Sequence, residues 1–248
     1  MKGFETNCRY GLLQNDTKTM NKIRQLGWSI YGRTAWDRNQ DKRIIGLICN
    51  NIVTTLTANK KGISERVLDV GCGTGYYASE IAKSGFSVTG IDYAKGMIEK
   101  AKSKYKLDEF LGFEQVDISK TTLFKADSFD YAISISSLQA VPDPVFTLKE
   151  IKRMVKPNGL IIIVHASKPD SHQLPLTQQV NDYFANSSNK NILSRLMYYL
   201  KSFAERKGFS TYWTLPELKS KIDGCGLDII KIDEINSIKI ITTKATSP

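Results

Sequence analysis

The stretch VLDVGCGTG (67–75) decides how this chain folds. Val67, Leu68 and Val70 read as a short buried strand, and three glycines at alternate positions, Gly71, Gly73 and Gly75, then turn the chain. YYASEIAKSG (76–85) follows at once with helical spacing and stops at Gly85, a helix C-cap signal. The glycines meet two demands. The turn needs backbone angles that a side chain obstructs. A ligand must also lie against bare backbone at the carboxyl edge of the sheet, where open α/β folds bind their ligands. The spacing is G-x-G-x-G with acidic Asp69 before it, not the G-x-G-x-x-G of a dinucleotide site. A second carboxylate, Asp92, closes the next apolar run about 20 residues later, where a carboxylate can accept hydrogen bonds from both ribose hydroxyls. A third, Asp117, ends the run after that.

Downstream, strand and helix signals alternate for about 100 residues. SVTGID (87–92), FEQVDI (113–118), FDYAISI (129–135) and LIIIVHA (160–166) read as strands. AKGMIEKAKSKY (94–105) and DPVFTLKEIKRMV (143–155) read as helices, the second with Pro144 in its first turn. Pro157, Asn158 and Gly159 form a turn into the fifth strand. The strands are apolar on both sides, as in a parallel sheet covered by helices on both faces. Upstream, IIGLICNNIVTTL (44–56) is a helix packing on the sheet, preceded by the aromatic-rich WSIYGRTAWDR (28–38). Residues 167–214 form a polar, helix-like insertion with an aromatic tail. LPELKSKIDGCG (215–226) is a helix with a capping box from Thr214 and Glu217. LDIIKIDEI (227–235) and SIKIITTKA (237–245) close the chain as an antiparallel hairpin at the sheet edge.

At 248 residues with 41% apolar and 24% charged residues, the chain has the composition of a globular protein with a real core. No apolar run is long enough to span a membrane, and the polar N-terminal stretch has no apolar h-region, so the expected setting is the cytoplasm. Cys8, Cys49, Cys72 and Cys225 are widely spaced and only two histidines exist, which argues against zinc and for reduced thiols. The formal charge is +10, yet the basic residues are dispersed. They read as solvated faces rather than a nucleic-acid footprint.

The segments VLDVGCGTG (67–75), VTGID (88–92), VDI (116–118), FDYAISISSLQAV (129–141) and IKRMVKPNGLIIIV (151–164) resemble, in order and spacing, the successive motifs of class I S-adenosylmethionine-dependent methyltransferases. The resemblance implies an α/β, doubly wound, Rossmann-like sheet of seven mostly parallel strands with the last antiparallel. It implies one domain: a helical cap (1–65), a cofactor-binding core (66–166), a substrate-lid insertion (167–214) and the closing helix and hairpin (215–248). By the same likeness Asp69 and the loop Gly71, Cys72 and Gly73 hold the methionine part of S-adenosylmethionine, and Asp92 holds the ribose. Tyr93 and Met97 pack near the adenine, Asp117 and Ile118 meet its edge, and Ser134 and Ile135 line the methionine end. Met97 as plain core and Asp117 as a turn cap remain open.

The substrate approaches from beyond the carboxyl ends of the fourth and fifth strands, where Gln139, His165 and His172 are candidates. His165 is a candidate general base, with a packed histidine at a strand end as the alternative. The segment 28–38 resembles the aromatic segment that folds over the cofactor in small-molecule methyltransferases, which would bring Tyr31 or Trp36 to the sulfonium, a cation that aromatic faces attract. FDYAISISSLQAVPDP and VHASKP are similar to the quinone-biosynthesis C-methyltransferases. Phenols, polyketides, sterols and quinone precursors all remain open as substrates, with methylation at O or C. A homologue that binds the cofactor without methylating, and an RNA-modifying enzyme, are the alternatives.

Overall fold

The computed structural model describes residues 22, 25–30, 37, 41–166 and 212–246. The elements are α1 (Lys42–Ala58), β1 (Arg66–Val70), α2 (Tyr76–Lys83), β2 (Ser87–Asp92), α3 (Lys95–Lys104), β3 (Leu111–Gln115), β4 (Phe129–Ile135), α4 (Pro144–Met154), β5 (Val155–Ala166), α5 (Leu215–Asp223), β6 (Leu227–Ile235) and β7 (Ile238–Ala245), with a 3-10 turn at Leu138–Ala140. The seven strands lie in the order β3-β2-β1-β4-β5-β7-β6. All neighbours pair in parallel except β7, which runs antiparallel to both β5 and β6. The expected sheet is therefore present, with its reversed last strand inserted between β5 and the edge strand β6.

Strand alternation divides the core into two layers. Leu68, Val70, Ile161 and Ile163 face α4 and α5, where Leu148, Ile151, Leu218 and Ile222 meet them. Val67, Ile133, Ile162 and Val164 face the other way, onto Ile48, Ile52 and Leu56 of α1, Ile81 of α2 and Ile98 of α3. Each such side chain contributes about 1.5–3 kcal/mol by leaving water. Both faces of the central strands are covered, which is why those strands read as mostly apolar runs. The strand order reverses direction between β1 and β4, so a crevice opens there beyond their carboxyl ends.

The third and fifth strands depart most from their expected ranges, the third running Leu111–Gln115 rather than 113–118. The third strand stops at Gln115, opposite Asp92, where β2 ends. One last bond joins the Val116 amide to the Asp92 carbonyl (3.0 Å), and Val116–Ile118 continue as a loop at the sheet edge. The fifth strand begins at Val155, before the expected Pro-Asn-Gly turn. That turn is a looped-out irregularity within the strand: pairing jumps from Phe129–Val155 to Tyr131–Leu160, and Asn158 takes a φ of +65°.

The capping box of α5 is formed. The Thr214 hydroxyl accepts from the Glu217 amide, and Glu217 Oε2 accepts from the Thr214 amide (2.7 Å). Thr214→Ala is expected to lower stability by about 1 kcal/mol, read as a shift in the urea unfolding midpoint.

Candidate functional site

The loop after β1 is tied to β2 where it begins. The amides of Gly71 and Cys72 both donate to the Ile91 carbonyl at the end of β2 (2.8 and 2.9 Å). Gly71 sits at φ +73°, and a Cβ there would fall 2.4 Å from the Cβ of Ser137. Gly75 sits at φ +84°, and its Cβ would fall 2.5 Å from the Phe113 ring. Glycine is required twice over at both, by backbone angle and by space.

Asp92 ends β2 under this loop. Its Oδ2 accepts from the Gly73 amide (3.1 Å) and its Oδ1 from the Ala94 amide (2.8 Å). Burial pushes its carboxyl up to about 6, against those two bonds. A carboxylate has about four acceptor sites, so roughly two remain for a ligand. Asp69, one strand over, is 1% exposed. Burial, and then the nearby Asp92, push its carboxyl up to about 8. Its Oδ2 has no hydrogen-bond partner among the described residues. The Cys72 thiol is likewise pushed up, by burial first and then by Asp69 and Asp92.

The Asp69 shift sets a stability profile. With the folded value raised above the ordinary 3.8, its contribution is fully present at acid pH and is lost as pH rises through about 8. Asp92 acts in the same sense but lower, through about 6. Thermal midpoints of the ligand-free protein are therefore expected to fall from about pH 6.5 to about pH 8.5, and Asp69→Asn to flatten most of that fall.

Two cavities meet over these residues. The larger, about 540 Å³, is bounded by Gly71, Gly73, Asp92, Tyr93, Met97 and Asp117, with Ile118 and Ser119 beside them. The smaller, about 400 Å³, takes Asp69, Cys72, Thr74, Tyr76 and Tyr77 on one side and α1 on the other. Gly71, Ile135 and Ser136 belong to both walls. Ser136 has φ +50°, in the left-handed region that non-glycine residues seldom adopt, held by its amide bond to the Val164 carbonyl (2.9 Å).

Asp117 is both a cavity wall and a turn cap. Its Oδ1 accepts from the amide and hydroxyl of Ser119 (3.1 and 2.5 Å), and its Oδ2 pairs with Lys120 (2.7 Å). Burial acts to raise its pKa, but Lys120 and Ser119 outweigh it and hold the carboxyl below its ordinary value.

The N-terminal segment closes the larger cavity, with Lys22, Gln25 and Trp28 in its wall. Gln25 Nε2 donates to the Tyr93 carbonyl (2.7 Å), and the Gly96 amide donates to Ser29 Oγ (3.2 Å). Asp37 accepts from the Thr74 hydroxyl (2.6 Å) and pairs with Lys104 (3.1 Å), joining that segment to the glycine loop and to α3. Tyr31, Trp36 and His172 lie outside the described residues.

Several expected positions shift. Ser134 lies one residue too deep in β4: it is buried and in neither cavity wall, and its hydroxyl bonds Ser137 Oγ (2.6 Å). Ser137 donates in turn to the Val70 carbonyl (2.9 Å), so Ser134 is the donor of that pair. Ser136 and Ser137 stand in the wall instead; serine has no marked preference for such positions, and no sequence signal distinguished them. Gln139 is half-buried on the 3-10 turn but outside both walls, although its neighbour Ala140 is in one.

Of the two readings of His165, the packed histidine at a strand end is the one the geometry supports. It is 2% exposed, its ring stacks on Trp213 (5.5 Å between centroids, 20° apart), and its Nε2 lies 3.0 Å from the Trp213 carbonyl. A carbonyl only accepts, so Nε2 carries the proton. Burial first, against that bond, lowers the pKa of the ring and keeps it neutral. It borders neither cavity.

A model described as "Methyltransferase domain" matches residues 61–208, more than half of the chain. Among curated proteins the chain is similar to a ubiquinone biosynthesis O-methyltransferase of Histophilus somni, 31% identical over 135 residues, covering 52% of this chain and 57% of that one. It is also similar to a demethylmenaquinone methyltransferase of Staphylococcus aureus, 35% identical over 124 residues and 49% of each chain. The chain thus spans about half the length of the curated relatives it matches. Among solved structures, a SAM-dependent methyltransferase of Methanosarcina mazei superposes with a TM-score of 0.56 at 22% identity, covering 78% of this chain and 98% of that one.

Proposed function

We propose that this chain, which belongs to the methyltransferase domain family, moves a methyl group from S-adenosylmethionine to an O or C atom of a small-molecule acceptor of the quinone-precursor type. The observation that carries this is the pair of carboxylates, Asp92 and Asp69, placed on two cavities that share one strip of wall. The residues fit the cofactor. Asp92 keeps acceptor capacity for ribose hydroxyls after serving Gly73 and Ala94. Tyr93, Met97 and Ile118 supply an apolar lining for a purine, and Asp117 stands at its edge. The unpartnered Oδ2 of buried Asp69 suits an ammonium group, whose charge would draw its carboxyl back to the ionised form.

When bound, the cofactor would supply a methyl group already activated by its sulfonium, with S-adenosylhomocysteine as the leaving group, and the chain's own residues would hold that group and the acceptor in place. The protein's part is then position and exclusion of water. Gly71, Ile135 and Ser136 present the strip on which the reacting centre would lie. The N-terminal segment, fastened through Gln25, Ser29 and Asp37, covers the nucleoside side. No role falls to His165, and the hydroxyls of Tyr76 and Tyr77 are pushed up by burial, so neither is a ready base.

The quinone-precursor class is supported by the two curated relatives and by the apolar character of the smaller cavity. The test is turnover with methyl-labelled S-adenosylmethionine and a panel of hydroquinones and phenols. The expected result is labelled product together with S-adenosylhomocysteine. Cofactor binding without turnover across the panel would leave a protein that binds the cofactor and does not methylate these acceptors.

A further inference from the structure

We propose that the smaller cavity is the methyl-acceptor site and that helix α1 restricts it to an uncharged, apolar ring system. The proposal rests on the reading that the cofactor fills the larger cavity and reaches Asp69 in the smaller one, which leaves the α1 end of the smaller cavity for the acceptor. Because the two cavities share Gly71, Ile135 and Ser136, a methyl group held on that strip faces into the smaller one.

Beyond the strip the walls change character. Ile44, Ile45 and Ile48 come from the first turns of α1, at spacings that put them on neighbouring faces of the helix. Opposite them stand Ile135 of β4, Val164 of β5 and Ile238 of β7. These strands end side by side: Ile135 pairs with Val164, and Ala166 with Ile238. The sheet thus supplies an apolar floor and α1 an apolar roof. A cavity of about 400 Å³ lies within the usual range for small-molecule sites.

Apart from buried Asp69 beside the shared strip, the charged residues of this wall are exposed or paired. Asp41, Lys42 and Lys104 are exposed, and Lys104 is already paired with Asp37. A carboxylate on the ring end of the acceptor would lose its water among isoleucines, while Lys42 and Lys104 stand at exposed positions of the wall. A neutral aromatic ring gains by the same transfer. The site also lies on the α1 side of the sheet. His165, on the α4–α5 side against Trp213, is separated from it by the strand that carries both His165 and Val164. The acceptor therefore approaches from the face opposite the one that the histidine suggested.

The test uses the full chain saturated with S-adenosylhomocysteine. Calorimetry measures binding of 2-naphthol, an apolar bicyclic phenol, and of 3,4-dihydroxybenzoate, a charged one. The expected result is that 2-naphthol binds at least about tenfold more tightly. Ile45→Trp fills the apolar end and is expected to weaken 2-naphthol about tenfold or more, leaving S-adenosylhomocysteine affinity unchanged. Ile44→Lys, at a half-buried position that tolerates a long side chain, is expected to reverse the preference between the two phenols. Equal binding of both phenols by the unmodified protein, or 2-naphthol affinity indifferent to both substitutions, would overturn the proposal. Failure of S-adenosylhomocysteine to bind the unmodified protein would instead overturn the cofactor reading beneath it.

Discussion

Asp92→Ala is expected to weaken S-adenosylmethionine binding by roughly a hundredfold or more. The carboxylate stands at the end of β2 with two acceptor sites occupied by the Gly73 and Ala94 amides and the others turned to the larger cavity. Two ribose hydroxyls bonded to an ionised acceptor contribute about 1.5–3 kcal/mol each, and each 1.4 kcal/mol is about a factor of ten. The substitution also frees two backbone amides, so part of the loss comes through the loop rather than the ligand. Asp92→Asn separates the two contributions. It keeps an oxygen for one amide and is expected to retain the fold, as seen by its thermal midpoint, while still losing most of the affinity. Unchanged affinity in a folded Asp92→Ala protein would remove the ribose from this position.

Gly71→Ala is expected to be severely damaging, lowering stability by about 2–5 kcal/mol. The left-handed backbone costs an L-residue about 1–2 kcal/mol. Forcing a methyl against Ser137, whose Cβ lies 2.4 Å from the place it would take, adds about 1–3 kcal/mol of overpacking. Ser137 cannot simply turn aside, because its hydroxyl bonds the Val70 carbonyl and receives Ser134. A second substitution, Ser137→Gly, removes the obstructing atom but not the backbone strain. The double variant is therefore expected to recover part of the loss in urea unfolding, and the difference reads the contact between the two residues directly. A Gly71→Ala protein as stable as the unmodified one would contradict the placement of Ser137 on the loop.

Most of the fold was legible because its determinants are local. β2, β4 and β6 match their expected ranges residue for residue: β2 and β4 are covered on both faces and read as mostly apolar runs, and edge strand β6 alternates apolar and polar residues. The Thr214–Glu217 box and the Asn236–Ser237 turn are likewise short-range signals. The end of β3 was misjudged because Val116 and Ile118 are as apolar as strand residues. They fill a cavity wall instead, and only the ending of β2 at Asp92 shows it.

The site divides along the same line. Gly71, Gly73, Asp69 and Asp92 are close in sequence or tied to the glycine turn, and the structure gathers them around the joined cavities. The two readings of His165 could not be separated in the sequence because its partner Trp213 lies 48 residues away and no periodicity connects them. The contribution of α1 was invisible for a related reason. Ile44, Ile45 and Ile48 look like ordinary core residues until the sheet beneath them is seen to end. The link from Asp37 to Thr74 and Lys104 joins three elements and has no sequence signature.

The central claim, that the joined cavities hold S-adenosylmethionine, is tested most directly by calorimetric titration of the purified chain with S-adenosylmethionine and S-adenosylhomocysteine. The account predicts saturable, micromolar binding of both at a single site, tightening as pH rises toward about 8 because ligand binding draws a proton off Asp69. A folded protein that binds neither would contradict it, and VLDVGCGTG (67–75) would then be a structural turn that holds β1 to α2 and nothing more.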